Sequence, residues 1–95
     1  MPIANGIRQL MNRLDRRALL EPLLDLCREY NVTPEEILAK ARTKRVVEAR
    51  DAFISQLYRR KLSEQEIANL LHMDRGNVHC ARHRHAARSA PPVRA

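Results

Sequence analysis

Residues 63–79 read SEQEIANLLHMDRGNVH, and this stretch decides the fold. Ser63 and Glu66 have the spacing of a capping box, in which each side chain accepts a hydrogen bond from the backbone N–H of the other residue, so a helix is predicted to begin here. A second helix is predicted to begin after Asp74, because a short acidic side chain can accept hydrogen bonds from the free N–H groups of a first helical turn. The apolar spacing places the inward positions of the two helices at Ile67, Ala68, Leu70, Leu71, Val78 and Ala81.

Two helices joined by a short turn, the second rich in arginine and histidine, are typical of a helix-turn-helix. In that motif the second helix lays its N-terminal turn against base edges in the major groove of DNA. An arginine there can contact guanine, an asparagine can pair with adenine, and a glycine lets the backbone approach closely. The predicted base-edge residues are Arg75, Gly76, Asn77 and Cys80. An alternative stays open for three of them. Arg75 could be a solvated turn residue, Asn77 could make a hydrogen bond at the helix terminus, and Cys80 could be a half-buried thiol.

The rest of the chain also predicts helices, since it has only two glycines and no stretch that alternates apolar and polar residues over a strand's length. Pro22 suits the first turn of one helix, residues 33–36 (TPEE) form a second capping box, and a longer helix is predicted from Val46 to about Arg60. We therefore expect an all-α domain of five to six helices that contains the helix-turn-helix. An amphipathic helix at the N-terminus is predicted from Ile7, Leu10, Met11 and Leu14.

These elements divide the chain into three parts. Residues 1–19 are predicted to form the N-terminal amphipathic helix, which either packs onto the domain, serves as a linker or forms the seam of a homodimer. Residues 20–88 are predicted to form the helix-turn-helix domain. Residues 89–95, SAPPVRA, are predicted to be a disordered tail.

The charge is clustered as well as large. The chain has 18 lysines and arginines against 11 aspartates and glutamates, a formal net charge of +7, which favours polyanionic partners. Residues 21–36 hold five acids and one base, whereas residues 40–50 hold five bases and one acid. Such clustering is expected of a surface that binds phosphates. The predicted phosphate-contact residues are Lys44, Arg45, Arg50, His83 and Arg84.

Taken together, these segments resemble the C-terminal DNA-binding domain of the bacterial replication initiator DnaA, in the Trp-repressor-like helical class. The resemblance covers roughly residues 20–85: the helices on either side of Thr33, the basic run KRVVEAR that begins at Lys44, and the helix pair quoted above. It implies the same helical fold and groove docking, and it implies that Arg50 reaches the minor groove.

The signature run of that family departs from the sequence found here. It is typically Arg-Asp-His-Thr-Thr-Val, and residues 73–78 read MDRGNV, which retains Asp74 and Val78. The retained positions are the cap and the core position, and the replaced positions are those that face bases in the family. The resemblance therefore supports fold and docking more than a preference for the family's DNA sequence.

Several kinds of site are not expected. The acids of residues 21–36 have no accompanying nucleophile, and the Gly-rich phosphate loop of an ATPase is missing. His79 and His83 could share a helix face, but a structural zinc takes four ligands and the chain has no C-x-x-C. We therefore expect no catalytic residue, cofactor or metal.

The chain is predicted to stay in the cytoplasm. No apolar run approaches the roughly 20 residues that span a bilayer, and the N-terminus lacks the apolar segment of a signal peptide. Cys27 and Cys80 are then expected to be free thiols in a reducing compartment. We expect no membrane partner and a nucleoid-associated location, in the host cytoplasm if a phage encodes the chain.

The sequence therefore predicts a sequence-specific double-stranded DNA-binding protein and not an enzyme. Its expected role is to regulate transcription or replication initiation by occupying sites, as a phage or mobile-element version of the initiator domain. One alternative is a protein-interaction module that binds an initiator or another acidic partner, and a further rival is a binder of structured RNA. B-form DNA is favoured over RNA because an α-helix fits its wide major groove.

Overall fold

The computed structural model describes residues 5–89, and this part of the chain is entirely helical between its turns. Its six helices are α1 (Asn5–Arg16), α2 (Leu20–Tyr30), α3 (Pro34–Leu38), α4 (Lys44–Arg59), α5 (Glu64–Leu71) and α6 (Arg75–Ser89). The all-α prediction is confirmed. Over the same residues, no helix combines the length and the apolar character that crossing a membrane requires.

Helix α4 is the centre of the fold, because it contacts α2, α3, α5 and α6. Phe53, Ile54 and Leu57 on α4 are completely buried, and the core forms around them. Helix α6 packs along α4 through Val78 and Ala81, both of which are buried as predicted. Other large side chains that are fully buried in the core are Leu14, Leu23, Ile37, Val46 and Ile67.

Both predicted capping boxes are present. The backbone N–H of Glu36 donates to Thr33 Oγ1 at 3.1 Å, and the N–H of Thr33 donates to Glu36 Oε1 at 2.9 Å. Ser63 and Glu66 repeat the arrangement at the start of α5, with distances of 3.1 and 2.8 Å. These helix starts are set by residues three apart in the chain, and for that reason the sequence predicts them correctly.

The helix ends follow one pattern that the sequence does not signal. After each of the first five helices, a residue other than glycine adopts a left-handed conformation with φ between 55° and 79°. The N–H of the next residue then donates to a carbonyl five residues back, as from Leu19 to Leu14 at 2.8 Å and from Met73 to Ala68 at 2.9 Å. These hydrogen bonds satisfy backbone carbonyls that would otherwise lack a partner at the end of a helix. The left-handed residues are Ala18, Asn31, Lys40, Lys61 and His72.

Helix α1 packs back onto the domain. Its apolar stripe lies against the core, with Leu10 and Leu14 buried and with Ile7 and Met11 half-buried. The helix contacts α2, α3 and α5. Of the three alternatives for this helix, intramolecular packing is the one observed. The homodimer stays a prediction, and the apolar residues proposed for its interface pack against the core of the same molecule.

Two boundaries differ from the prediction. Helix α4 begins at Lys44 and not at Val46, so Lys44 and Arg45 lie in its first turn and not in a connecting loop. Basic side chains at the start of a helix oppose its dipole, and the sequence pattern therefore did not favour a helix there. Helix α6 includes Ser89, the first residue of the predicted tail, and residues 90–95 lie outside the described part of the chain.

Candidate nucleic-acid interface

Helices α5 and α6 are joined by the three residues 72–74. The first, His72, is left-handed with φ 55°, which turns the chain sharply after Leu71. The first turn of α6 closes when the N–H of Val78 donates to the carbonyl of Asp74 at 3.1 Å. A turn of this length matches the connection of a helix-turn-helix.

The outward face of α6 carries the four predicted base-edge residues. Arg75, Gly76, Asn77 and Cys80 are all exposed. Helical spacing places Gly76 and Cys80 opposite the buried Val78 and Ala81, and it places Arg75 and Asn77 on the two flanks between them. Gly76, Cys80 and His83 are spaced by four and three residues, so they lie along one line of the helix surface. Gly76 and Cys80 thus share one exposed side of α6, Arg75 and Asn77 are exposed at its two edges, and the alternative in which Cys80 is half-buried is removed.

The fold of the chain does not explain the glycine on this face. A side chain added at Gly76 would meet no atom within 4 Å, and the residue does not have a positive φ. A glycine in an exposed helix is about 1 kcal/mol less favourable than an alanine. Neither a turn nor a close contact within residues 5–89 therefore requires Gly76, whereas a molecule approaching α6 from outside would benefit from the missing side chain.

Arg84 has a different partner from the predicted one. Its guanidinium makes two hydrogen bonds of 3.0 Å to the carboxylate of Asp51, which is only 1% exposed, and Arg88 adds a third of 2.7 Å. The hydrogen bonds that Arg84 donates to Asp51 raise the pKa of Arg84 above its ordinary value. Arg84 thus holds a buried carboxylate while 51% of its side chain remains exposed, and its phosphate contact stays a prediction.

Arg50 also makes its hydrogen bonds within the protein. Its Nε donates to the carbonyl of Ile37 at 3.0 Å and its Nη2 donates to that of Ala41 at 2.8 Å, and only 9% of the residue is exposed. Burial lowers the pKa of Arg50 below its ordinary value. The side chain therefore satisfies carbonyls at the end of α3 and fixes α3 to α4. The minor-groove contact that the resemblance implied stays a prediction.

A basic groove lies beside the first turn of α6. It has a volume of about 600 Å³ and is lined by Lys40, Arg42, Val47, Arg50, Met73, Asn77 and Arg84. The sequence prediction missed Lys40 and Arg42, although they belong to the basic run of residues 40–50. The predicted residues Lys44 and Arg45 are exposed on the first turn of α4.

The far side of α6 is tied to α5 through Glu64. Its carboxylate lies 3.0 Å from His79 Nδ1 and also accepts from Arg82, and these hydrogen bonds lower the pKa of Glu64, with the His79 contribution the larger. The guanidinium of Arg82 stacks on the ring of Tyr58 at 3.5 Å. His83 is exposed, and its ring centroid lies 4.3 Å from that of His79. Within residues 5–89, no three histidine, cysteine or acidic side chains come together as metal ligands.

Compared with known proteins, the chain matches no family model, no curated protein and no solved structure. The candidate interface therefore rests on the geometry described above. That geometry consists of an exposed helix face without bulky side chains at its centre, a basic groove at its edge, and a buried carboxylate that anchors it.

Proposed function

We propose that this protein binds double-stranded DNA in a sequence-dependent way, with α6 inserted in the major groove. The proposal is supported above all by Gly76, an exposed helical glycine that the protein's own packing does not require. With Arg75 and Asn77 beside it, this first turn offers two side chains that can read base edges and a backbone that can approach them closely.

The charge around α6 supports the same proposal. Lys40, Arg42 and the exposed part of Arg84 line the groove at one edge of the helix, where a sugar–phosphate strand would pass. Contacts to phosphates fix the position and register of a protein on a duplex, whereas contacts to base edges specify the sequence. In our proposal the groove holds α6 in position on the duplex. The residues of the first turn of α6 then discriminate between DNA sequences.

The role we propose is regulation of transcription or of replication initiation by occupation of sites. A bound helix-turn-helix module would then block or redirect other proteins at the same sites.

Selection of bound duplexes from a random library tests the proposal. Recovery of a common sequence, followed by tighter binding to that sequence than to a scrambled duplex of the same composition, would support it. Equal competition by duplex RNA would favour recognition of structured RNA, since an α-helix does not fit the narrow major groove of A-form RNA. A protein that binds no duplex even at low salt would instead match the protein-interaction alternative.

A further inference from the structure

We infer that α1 forms part of the DNA interface and contacts the phosphate backbone beside the site that α6 reads. The inference rests on the proposed function and extends it to a helix outside the α5–α6 pair. The apolar face of α1 is buried in the core, which leaves a polar face directed outward. That face carries Gln9, Asn12, Arg13 and Arg16, which line one shallow depression of about 230 Å³.

Arg13 connects this face to the turn that precedes α6. Its Nη1 donates to the carbonyl of Asn69 at 3.3 Å and lies 3.4 Å from His72 Nε2. From the other side, Lys40 Nζ donates to the carbonyl of His72 at 2.7 Å. Lys40, His72 and Asn77 in turn line a common depression of about 360 Å³ together with Met73 and Asp74. A continuous surface with the cations Arg13 and Lys40 and the single acid Asp74 therefore runs from α1, across the turn, to the first turn of α6.

The charge of α1 exceeds what packing requires. The helix holds three arginines, Arg8, Arg13 and Arg16, against one acid. None of the ion pairs found between residues 5 and 89 involves any of these arginines. Arg13 lies at the carboxyl end of α5, where a cation stabilises the helix dipole, and this explains its position. Arg16 has no comparable structural role within the described residues.

A phosphate strand is the partner that fits this face. Duplex DNA carries about one negative charge per 1.7 Å, and its phosphates and sugars accept hydrogen bonds from arginine and from side-chain amides. The face offers both kinds of donor, with two guanidiniums and two amides on one side of the helix. Asp15, the acid of this segment, lies outside the face at helical spacing.

The test is the salt dependence of binding by the full chain to a selected duplex, from about 50 to about 200 mM salt. For Arg16→Ala, the slope of log affinity against log salt should be smaller in magnitude by about 0.9, which is the loss of one phosphate contact. The preference for the selected over the scrambled duplex should stay unchanged. Arg28→Ala is the matched control, because it removes the same charge from a side chain on α2 that is 71% exposed and leaves α1 intact. Its slope should equal that of the parent protein.

Each outcome separates the inference from the proposed function. If Arg16→Ala keeps the parent slope while Arg75→Ala still weakens the sequence preference, the inference is overturned and the proposed function stands. An equal change in slope for Arg16→Ala and Arg28→Ala would show a general charge effect and would also overturn the inference. If the parent protein binds no duplex at any salt concentration, both fail together.

Discussion

Asp51 on α4 and Arg84 on α6 are joined by two parallel hydrogen bonds, from Nε to Oδ2 and from Nη2 to Oδ1, each 3.0 Å long. Paired hydrogen bonds between a guanidinium and a carboxylate fix orientation as well as distance. Since Arg88 binds the same carboxylate one turn further along α6, the helix cannot rotate about its axis without breaking this cluster. Together with the burial of Val78 and Ala81, the cluster keeps the side carrying Gly76 and Cys80 outward.

Replacing Asp51 with asparagine should destabilise the fold. The change leaves two arginines facing a neutral amide in a buried place, and we expect the free energy of unfolding to fall by about 1–3 kcal/mol. Urea denaturation followed by circular dichroism measures the change. Glu48→Gln on the same helix is the control, because it removes one negative charge from a half-buried side chain outside the cluster, and it should cost less than about 0.5 kcal/mol. Equal effects of the two variants would contradict this account of the cluster.

Replacing Ala18 with glycine should stabilise the fold. Ala18 is exposed and left-handed at φ 59°, a conformation that is unfavourable for alanine and open to glycine. We expect a gain of roughly 0.5–1 kcal/mol in the free energy of unfolding. Ala39→Gly is the control, because Ala39 is also exposed and lies at a helix end, but has φ −81°. The control should not stabilise, and stabilisation by both variants would show that left-handed strain is not the cause.

The stability of the domain should fall as the solution becomes acidic. Burial, with smaller contributions from Arg59 and Arg88, lowers the pKa of His85 below its ordinary value of 6.5. A histidine with a lowered pKa in the folded state binds its proton more readily when unfolded, so its contribution is constant above about pH 6.5 and is lost as the pH falls. In melting experiments between about pH 5 and about pH 8, His85→Gln should show a weaker pH dependence than the parent protein. Identical pH profiles would contradict the assignment.

A further loss of stability should follow at lower pH. Hydrogen bonds lower the pKa of Glu64, mainly from His79, and that of Glu66, mainly from the backbone of Ser63. A carboxylate with a lowered pKa stabilises the fold above its ordinary value, here 4.5, and this contribution is lost as the pH falls through the folded-state value. The Glu66→Gln variant should lose less stability than the parent protein below about pH 4.5, and an unchanged profile would contradict the role of the capping box.

Substitutions in the first turn of α6 should separate binding from folding. Gly76→Ala adds a methyl group in open space, so stability should stay the same or rise by up to about 1 kcal/mol. Affinity for the selected duplex should nevertheless fall by about tenfold or more, which corresponds to about 1.4 kcal/mol. Arg75→Ala should reduce the difference between selected and random duplex by about 1–3 kcal/mol. Unchanged binding by both variants would remove α6 from the interface.

The parts of this structure that the sequence predicts are those set by neighbours in the chain. The capping boxes at Thr33 and Ser63 depend on side chains three residues away, and the apolar stripe of α1 depends on helical spacing. The sequence alone also identifies the residues of the α6 surface, because exposure follows once Val78 is placed in the core.

What the sequence did not predict depends on distant residues. Nothing near Asp51 signals that two arginines more than thirty residues away will surround it. The same holds for Arg50, whose basic neighbours suggested a solvated phosphate contact, whereas the fold turns its guanidinium toward the carbonyls that end α3. Tertiary packing decides whether an arginine faces a ligand or its own chain, and composition does not reveal that choice.

Protection of Cys80 by DNA tests the central claim most directly. Cys80 is exposed on the outward face of α6, whereas Cys27 is buried and its pKa is raised by that burial to about 11, so Cys27 should stay unreactive and serve as an internal control. We predict that a saturating selected duplex slows alkylation of Cys80 by N-ethylmaleimide by about tenfold or more, and that high salt restores the free rate as the complex dissociates. If Cys80 reacts as fast in a complex shown to be saturated as it does in the free protein, α6 does not lie against the DNA and the account is wrong.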